Sequence, residues 1–397
     1  MRRRLPLLVA VAVALAIAFT FRLGERIRGG AAVERLAVAA RGPFVAPAPP
    51  ALAEGPVEHV VLMIGDGLGL AQLAAARIHA HGPDGRLRLE RLPVVGLVAT
   101  HPAGALVAKS DSAATALATG VKTRNGRLGL DPRGRPLTSY AEALHAAGGA
   151  VGLVTTSRLA DATPAGFGAH AERREDEERI AAQLVASGFD LLLGGGRGAF
   201  LPRSEPGGAR GDGRDLRAEA RRLGYRVIER AAELAGEDLP LLGLFADDKL
   251  PIGGRDPSLE TMARAALARL GASGRRFFLL LEDEGIDSAG HQRRLEAMTE
   301  SLLGFDAAVG AALEFAARDG RTLVLVTGDH ATGALAIDPA STATRLVVRW
   351  SSDQHTGEPV PLFAYGPGAA RFAGVQDNTE VARKIAELLG VELGAAR

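Results

Sequence analysis

The chain has 397 residues, carries 47 Lys plus Arg against 46 Asp plus Glu, and is 47% hydrophobic. Such length and apolar content support a large packed core, and the even charge gives no reason to expect nucleic-acid binding. Cysteine is absent, which excludes thiolate nucleophiles, Cys-ligated zinc, iron–sulfur clusters and disulfides together.

The first element is an address. "MRRR" precedes the uncharged stretch "LPLLVAVAVALAIAFTF" and then Arg22. A basic start followed by such a run predicts an export signal over residues 1–21, with Ala16-Ile17-Ala18 as a small-residue cleavage site. The run also reaches the lower limit of a spanning helix, so retention as a membrane tether is the alternative to cleavage. Either outcome predicts an exported protein, periplasmic or extracellular. Residues 22–56, rich in Ala, Arg and Pro, read as a linker, which leaves 57–392 as the folded domain.

From residue 57 onward, apolar strands alternate with amphipathic helices. Strands are predicted over 57–64, 149–155, 191–193, 277–281, 322–327, 345–350 and 360–365. Helices are predicted over 112–119, 137–147, 176–187, 215–223, 257–270, 295–318 and 379–389. This order predicts a single α/β domain, a central, mostly parallel sheet with helices on both faces. Residues 203–214, "RSEPGGARGDGR", read as a polar surface loop.

In open α/β sheets ligands gather at the carboxyl ends of strands, and here those ends carry metal-ligating side chains. Asp66 follows the first predicted strand. Its loop "GDGLG" lacks the third glycine of a dinucleotide fingerprint, and the aspartate would repel a pyrophosphate. Glu282, Asp287 and His291 follow 277–281; Asp329 and His330 follow 322–327; Asp353 and His355 follow 345–350. Singly, each reads as a turn residue or a helix cap. Together, without cysteine, they suit zinc at a catalytic site and magnesium at an oxygen-rich one. Two zinc ions about 4 Å apart form a clamp for displacement at phosphorus, which calls for a serine nucleophile, and a serine opening a helix meets backbone N–H groups and the positive dipole end.

"IGDGLG", "SDSAATALATG", "GVKTRNGRLGLD", "VTTSRLADATPAGFGAH", "GLFADDKLP", "LEDEGIDSAGH", "VTGDHATG" and "QHTGE…FAYGP" occur in this order. In this the chain resembles the alkaline phosphatase family from about residue 57 to 390. The resemblance implies hydrolysis of phosphate monoesters through a phosphoserine, with two zinc ions and one magnesium as cofactors. It further implies that Asp287, His291 and His355 hold the first zinc, and Asp66, Asp329 and His330 the second. Asp66, Thr163 and Glu282 would hold magnesium, with Asp161 supporting through water. Arg174 would clamp phosphate, with Arg173 as an adjacent rival. Matching the family's nucleophile segment from the left selects Ser112 and leaves the helix about two residues short; matching from the right selects Ser110. The Asp-Ser-Ala-Ala string favours Ser112.

Two departures stand out. Position 288 is Ser where relatives commonly carry Lys or His. His330 and His355 lie only 25 positions apart, which leaves little room for the large insertion of animal relatives and bears on the homodimer usual in the family. The alternatives are a phosphodiesterase of the same superfamily or a non-catalytic metal- or phosphate-binding relative.

Overall fold

The computed structural model describes residues 32–39 and 54–395; the expected export segment lies outside them. Ten strands form the central sheet. We label them β1 (His59–Gly65), β2 (Val94–Ala99), β3 (Ala150–Arg158), β4 (Leu191–Gly195), β5 (Arg226–Ile228), β6 (Leu241–Leu244), β7 (Phe277–Asp283), β8 (Thr322–Gly328), β9 (Val360–Tyr365) and β10 (Gly374–Asp377). Their spatial order is β10-β2-β9-β8-β1-β7-β3-β4-β6-β5. All neighbours are parallel except β9, which runs antiparallel to both β8 and β2.

Period-two geometry sends alternate side chains of each strand to opposite faces. In β1, Val60, Leu62 and Ile64 join one apolar cluster, while Val61 and Met63 join the other. Helices Ser110–Thr119, Tyr140–Ala146, Ala162–Gly168, Glu177–Ala186, Leu216–Arg222 and Asn378–Leu389 cover the first face. Helices Leu70–His81, Leu259–Ala272 and Leu295–Asp319 cover the second. The single α/β domain with both faces covered is as expected. Central strands buried on both sides read as continuous apolar runs, which is why 57–64, 277–281 and 322–327 were legible.

Two expectations need correction. Ala32–Ala37, inside the stretch read as a linker, pairs antiparallel with Arg345–Trp350, and Trp350 Nε1 donates to Glu34 at 3.0 Å. The strand 345–350 therefore belongs to a separate three-stranded antiparallel sheet, not to the central one. Among the described residues no helix is long and apolar enough to cross a membrane.

Candidate active site

The carboxyl ends of β1, β7 and β8 lie side by side, because these three strands are adjacent and in parallel register. The turn after β1 presents Asp66, whose amide donates to the Asp283 carbonyl at 2.9 Å. Gly67 follows with φ +77, and a Cβ there would lie 2.8 Å from the Asp287 Cα. Its amide donates to Asp329 Oδ1 at 3.1 Å. A side chain at 67 would thus force apart the loops carrying Asp66, Asp287 and Asp329.

The helix Gly285–His291 puts Asp287 and His291 four residues apart, on one face. His355 arrives on the short strand His355–Thr356, paired antiparallel with Ala331–Thr332 beside His330. Two triads result: Asp287, His291 and His355, and Asp66, Asp329 and His330. In each, three ligand atoms lie within 4.8 Å of one another. The rings of His330 and His355 stack with centroids 3.5 Å apart, so the triads adjoin.

Backbone carbonyls orient the imidazoles of the first triad. His291 Nδ1 donates to the Asp353 carbonyl at 2.5 Å, and His355 Nδ1 to the Ala108 carbonyl at 2.9 Å. Their Nε2 atoms then face each other at 3.0 Å beside the Asp287 carboxylate. Such outer hydrogen bonds are how metal-binding histidines are fixed. In the second triad His330 Nε2 lies 3.2 Å from Asp329 Oδ2 and 3.5 Å from Asp66 Oδ1. Asp66 Oδ1 and Asp329 Oδ2 are nonetheless buried without a hydrogen-bond partner, as is Thr163 Oγ1. Buried oxygens left unpaired are costly. Together with the imidazoles they form a donor set that fits divalent cations of the zinc and magnesium kind.

The electrostatics agree. Burial, reinforced by Asp329 and Asp287, pushes Asp66 well above the usual carboxylate range. Burial raises Glu282 to about 8, and burial with Asp287 raises Asp329 to about 7. Burial also acts to raise Asp287, but the three imidazoles outweigh it and hold the carboxylate below its ordinary range. The hydrogen bond that His291 donates to Asp287 raises it to about 9, whereas burial lowers His330 and His355. This is a concentration of buried negative charge that cations would relieve.

Asp161, Thr163 and Glu282 lie outside the two triads. Thr155 Oγ1 donates to Glu282 at 2.5 Å, and the Thr163 hydroxyl faces Glu282 outside hydrogen-bonding geometry. Asp161 accepts from Ser157 at 2.7 Å and from Arg174 Nη2 at 2.7 Å. Burial would raise Asp161, but Arg174 and Arg158 outweigh it and bring it to about 2. Arg174 is also bound by Asp111, Nη1 to Oδ2 at 3.2 Å. Its rival Arg173 is exposed and pairs with exposed Glu175 at 3.8 Å. Arg174 is the arginine in the site.

The expectation for Ser112 is not supported by the geometry. The helix begins at Ser110, and Ser110 Oγ lies 3.4 Å from His330 Nε2. Ser112 sits in the third helical position, turned back to donate to the Lys109 carbonyl and to Asn125 Oδ1 at 2.6 Å. Ser110, not Ser112, lines the cavity. A helix turns about 100° per residue, so a shift of two positions points the hydroxyl away. Counting back from Gly120, the left-handed cap, favours Ser110 and removes the apparent two-residue shortening.

The cavity, of about 590 Å³, is lined by Asp66, Asp161, Asp287, His291, His355, Ser110 and Arg174, with Lys109, Asn125, Lys249, Glu284 and Ser288. Asp111, Asn125, Lys249 and Glu284 were not singled out from sequence. All four fall within the motifs that carry the resemblance, and only tertiary contact gives them a place.

The sequence model of the family described as alkaline phosphatase matches residues 57–344 and 337–391. The chain is 32% identical to the alkaline phosphatase of Escherichia fergusonii, covering 86% of this chain and 88% of that one. It is 35% identical to the streptomycin-6-phosphate phosphatase of Streptomyces griseus, covering 92% and 97%. Among solved structures, the alkaline phosphatase of Thermus thermophilus superposes with TM-score 0.78 at 28% identity, covering 88% and 94%. The alkaline phosphatase of the Antarctic bacterium TAB5 gives 0.76 at 29%, covering 86% and 100%, and a variant of it has Mg bound in the M3 site. The chain belongs to the alkaline phosphatase family. It is a metal-binding hydrolase with the family's phosphomonoesterase activity.

Proposed function

We propose that the enzyme works through a phosphoserine on Ser110, with two zinc ions and one magnesium as resident cofactors. The observation that carries this reading is that Ser110 opens a helix in the cavity lined by the first triad, Asp66 and Arg174, with its Oγ 3.4 Å from His330 Nε2 of the second triad. Asp287, His291 and His355 would hold one zinc, and Asp66, Asp329 and His330 the other. Asp66, Thr163 and Glu282 would hold magnesium, with Asp161 supporting through water. When bound, these ions supply Lewis acidity and positive charge for in-line displacement at phosphorus.

The chain's own groups do the rest. The amino end of the helix Ser110–Thr119 directs unpaired N–H groups and the positive dipole end at the phosphoryl group. Arg174 presents a planar fork to two phosphate oxygens, and Asp111 and Asp161 hold that fork in place. In the first half-reaction Ser110 Oγ loses its proton as its bond to phosphorus forms, the bond from phosphorus to the alcohol oxygen breaks, and that oxygen takes up a proton. In the second, water attacks phosphorus, inorganic phosphate leaves, and the serine hydroxyl is restored. The basic, apolar N-terminus supports export of the enzyme, with that segment as a tether where it is retained.

Acid quenching during turnover of an aryl phosphate, followed by peptide mapping, tests the assignment. Phosphate on Ser110, lost in Ser110→Ala and kept in Ser112→Ala, is expected. Label on Ser112 would return the nucleophile to the motif's other serine.

A further inference from the structure

A dianionic phosphate entering this cavity meets the carboxylates of Asp66, Asp161, Glu284 and Asp287, so the cations that remain available to it matter. Arg174 already spends two amino groups on Asp111 and Asp161. Lys249, on the loop after β6, lines the same cavity. The amide of the next residue, Leu250, donates to the Thr156 carbonyl at 2.9 Å, which pins that loop to the end of β3.

The Lys249 ammonium pairs with buried Glu284. Glu284 is itself fixed: its amide donates to Thr156 Oγ1 at 3.0 Å and its carboxylate accepts from Ser288 at 2.5 Å. An ammonium has three donors, and one is used by Glu284. The Lys249 side chain keeps 31% of its surface exposed and lines the cavity, so it has donors beyond the one given to Glu284. Asp161, which holds Arg174, also acts electrostatically on Lys249. Ser288 adjoins the expected metal ligand Asp287, and a hydroxyl there brings no charge.

We propose that Lys249 is a phosphate-positioning residue, supplying from the loop after β6 the cationic contact, direct or through one water, that position 288 lacks, and favouring the dianion. The inference rests on the phosphomonoesterase reading and on the cavity described above. Glu284 and Ser288 serve as its cradle.

The test is calorimetric titration of the full chain, loaded with zinc and magnesium, with inorganic phosphate. Lys249→Gln keeps a donor for Glu284 but loses the charge, and should weaken phosphate binding about tenfold. KM for an aryl phosphate should rise more than kcat falls. Lys249→Arg should bind within about threefold of the unmutated enzyme. In the Lys249→Gln background, Ser288→Lys returns an ammonium beside Glu284 and should restore affinity to within about threefold. Should Lys249→Gln alone not fold, that double variant carries the test. Unchanged phosphate affinity in Lys249→Gln, or affinity still tenfold weaker in the double variant, overturns the proposal. An unmutated chain that neither binds phosphate nor cleaves the aryl ester would instead overturn the reading beneath it.

Discussion

Removing the metals should make the enzyme progressively less stable as pH rises, and the structure fixes the sign. Glu282, Asp329 and Asp66 are buried carboxylates held above their ordinary range, Glu282 at about 8 and Asp329 at about 7. Between about pH 4 and those values the folded chain retains protons that the unfolded chain has released, so stability falls as pH climbs. His291, raised to about 9, adds in the same direction from about pH 6.5 upward, because its favourable charge is lost there. Asp287, held low by the imidazoles, stays ionised throughout this window and does not change the slope, whereas His330 and His355, lowered by burial, oppose the trend below about pH 6.5, so the fall is read above that pH. At about 1.4 kcal/mol per pH unit of displacement, these carboxylates are a cost comparable with the whole stability of a domain. Relaxation and water entry in the stripped protein should leave a loss on the order of 3 kcal/mol between about pH 6.5 and pH 8.5. For a domain of this size that corresponds to a Tm lower by roughly 4 °C. Zinc and magnesium compete with those protons, so their stabilisation should grow with pH. Calorimetric scans of chelator-stripped and reloaded enzyme across this range measure both quantities. A stripped protein whose Tm is flat or rising with pH, or a gap to the loaded form that narrows, would refute the reasoning.

Arg174→Ala should lower kcat/KM for an aryl phosphate by about a hundredfold or more, the scale for a preorganised group that meets transition-state charge; steady-state kinetics would show it. The enzyme should prefer an aryl phosphate over the matching alkyl aryl diester by several orders of magnitude, since a diester has less charge for Arg174 to meet. Glu282→Ala should reduce the monoesterase far more than any residual diesterase, and equal losses on both substrates would count against the magnesium assignment. Leu62→Ala, fully buried in the middle of β1, should cost about 2–5 kcal/mol in chemical denaturation while the remaining folded fraction keeps its kcat.

What was legible in the sequence follows from its physics. β1, β7 and β8 are apolar on both faces, so they announce themselves as runs, and the ligands at their ends are placed by chain proximity alone. The strands β5 and β6 are short, with three and four residues, and carry too little periodicity to stand out. The helix Leu70–His81 has little segregation of apolar from polar residues and no acidic residue or side-chain cap at its start, so neither of the usual signals marks it. Ala32–Ala37 is a strand only because Arg345–Trp350 offers it an edge and Glu34 a partner in Trp350.

The choice between two serines shows the limit most clearly. Ser110 and Ser112 flank one aspartate, and local pattern favours the serine that continues as Asp-Ser-Ala-Ala. What separates them is where the helix begins and how far each residue has turned by the time it faces the sheet. Ser110 occupies the first turn, at the cavity, and Asp111 behind it is fully buried, reaching Arg174 with one oxygen and the Gly126 amide with the other at 2.6 Å. The aspartate whose pattern favoured Ser112 is thus the one that holds Arg174 in the cavity. A buried carboxylate with two such partners needs that position in the helix, and with Asp111 fixed there, Ser110 is the serine carried into the cavity and Ser112 the one turned back onto its own helix cap.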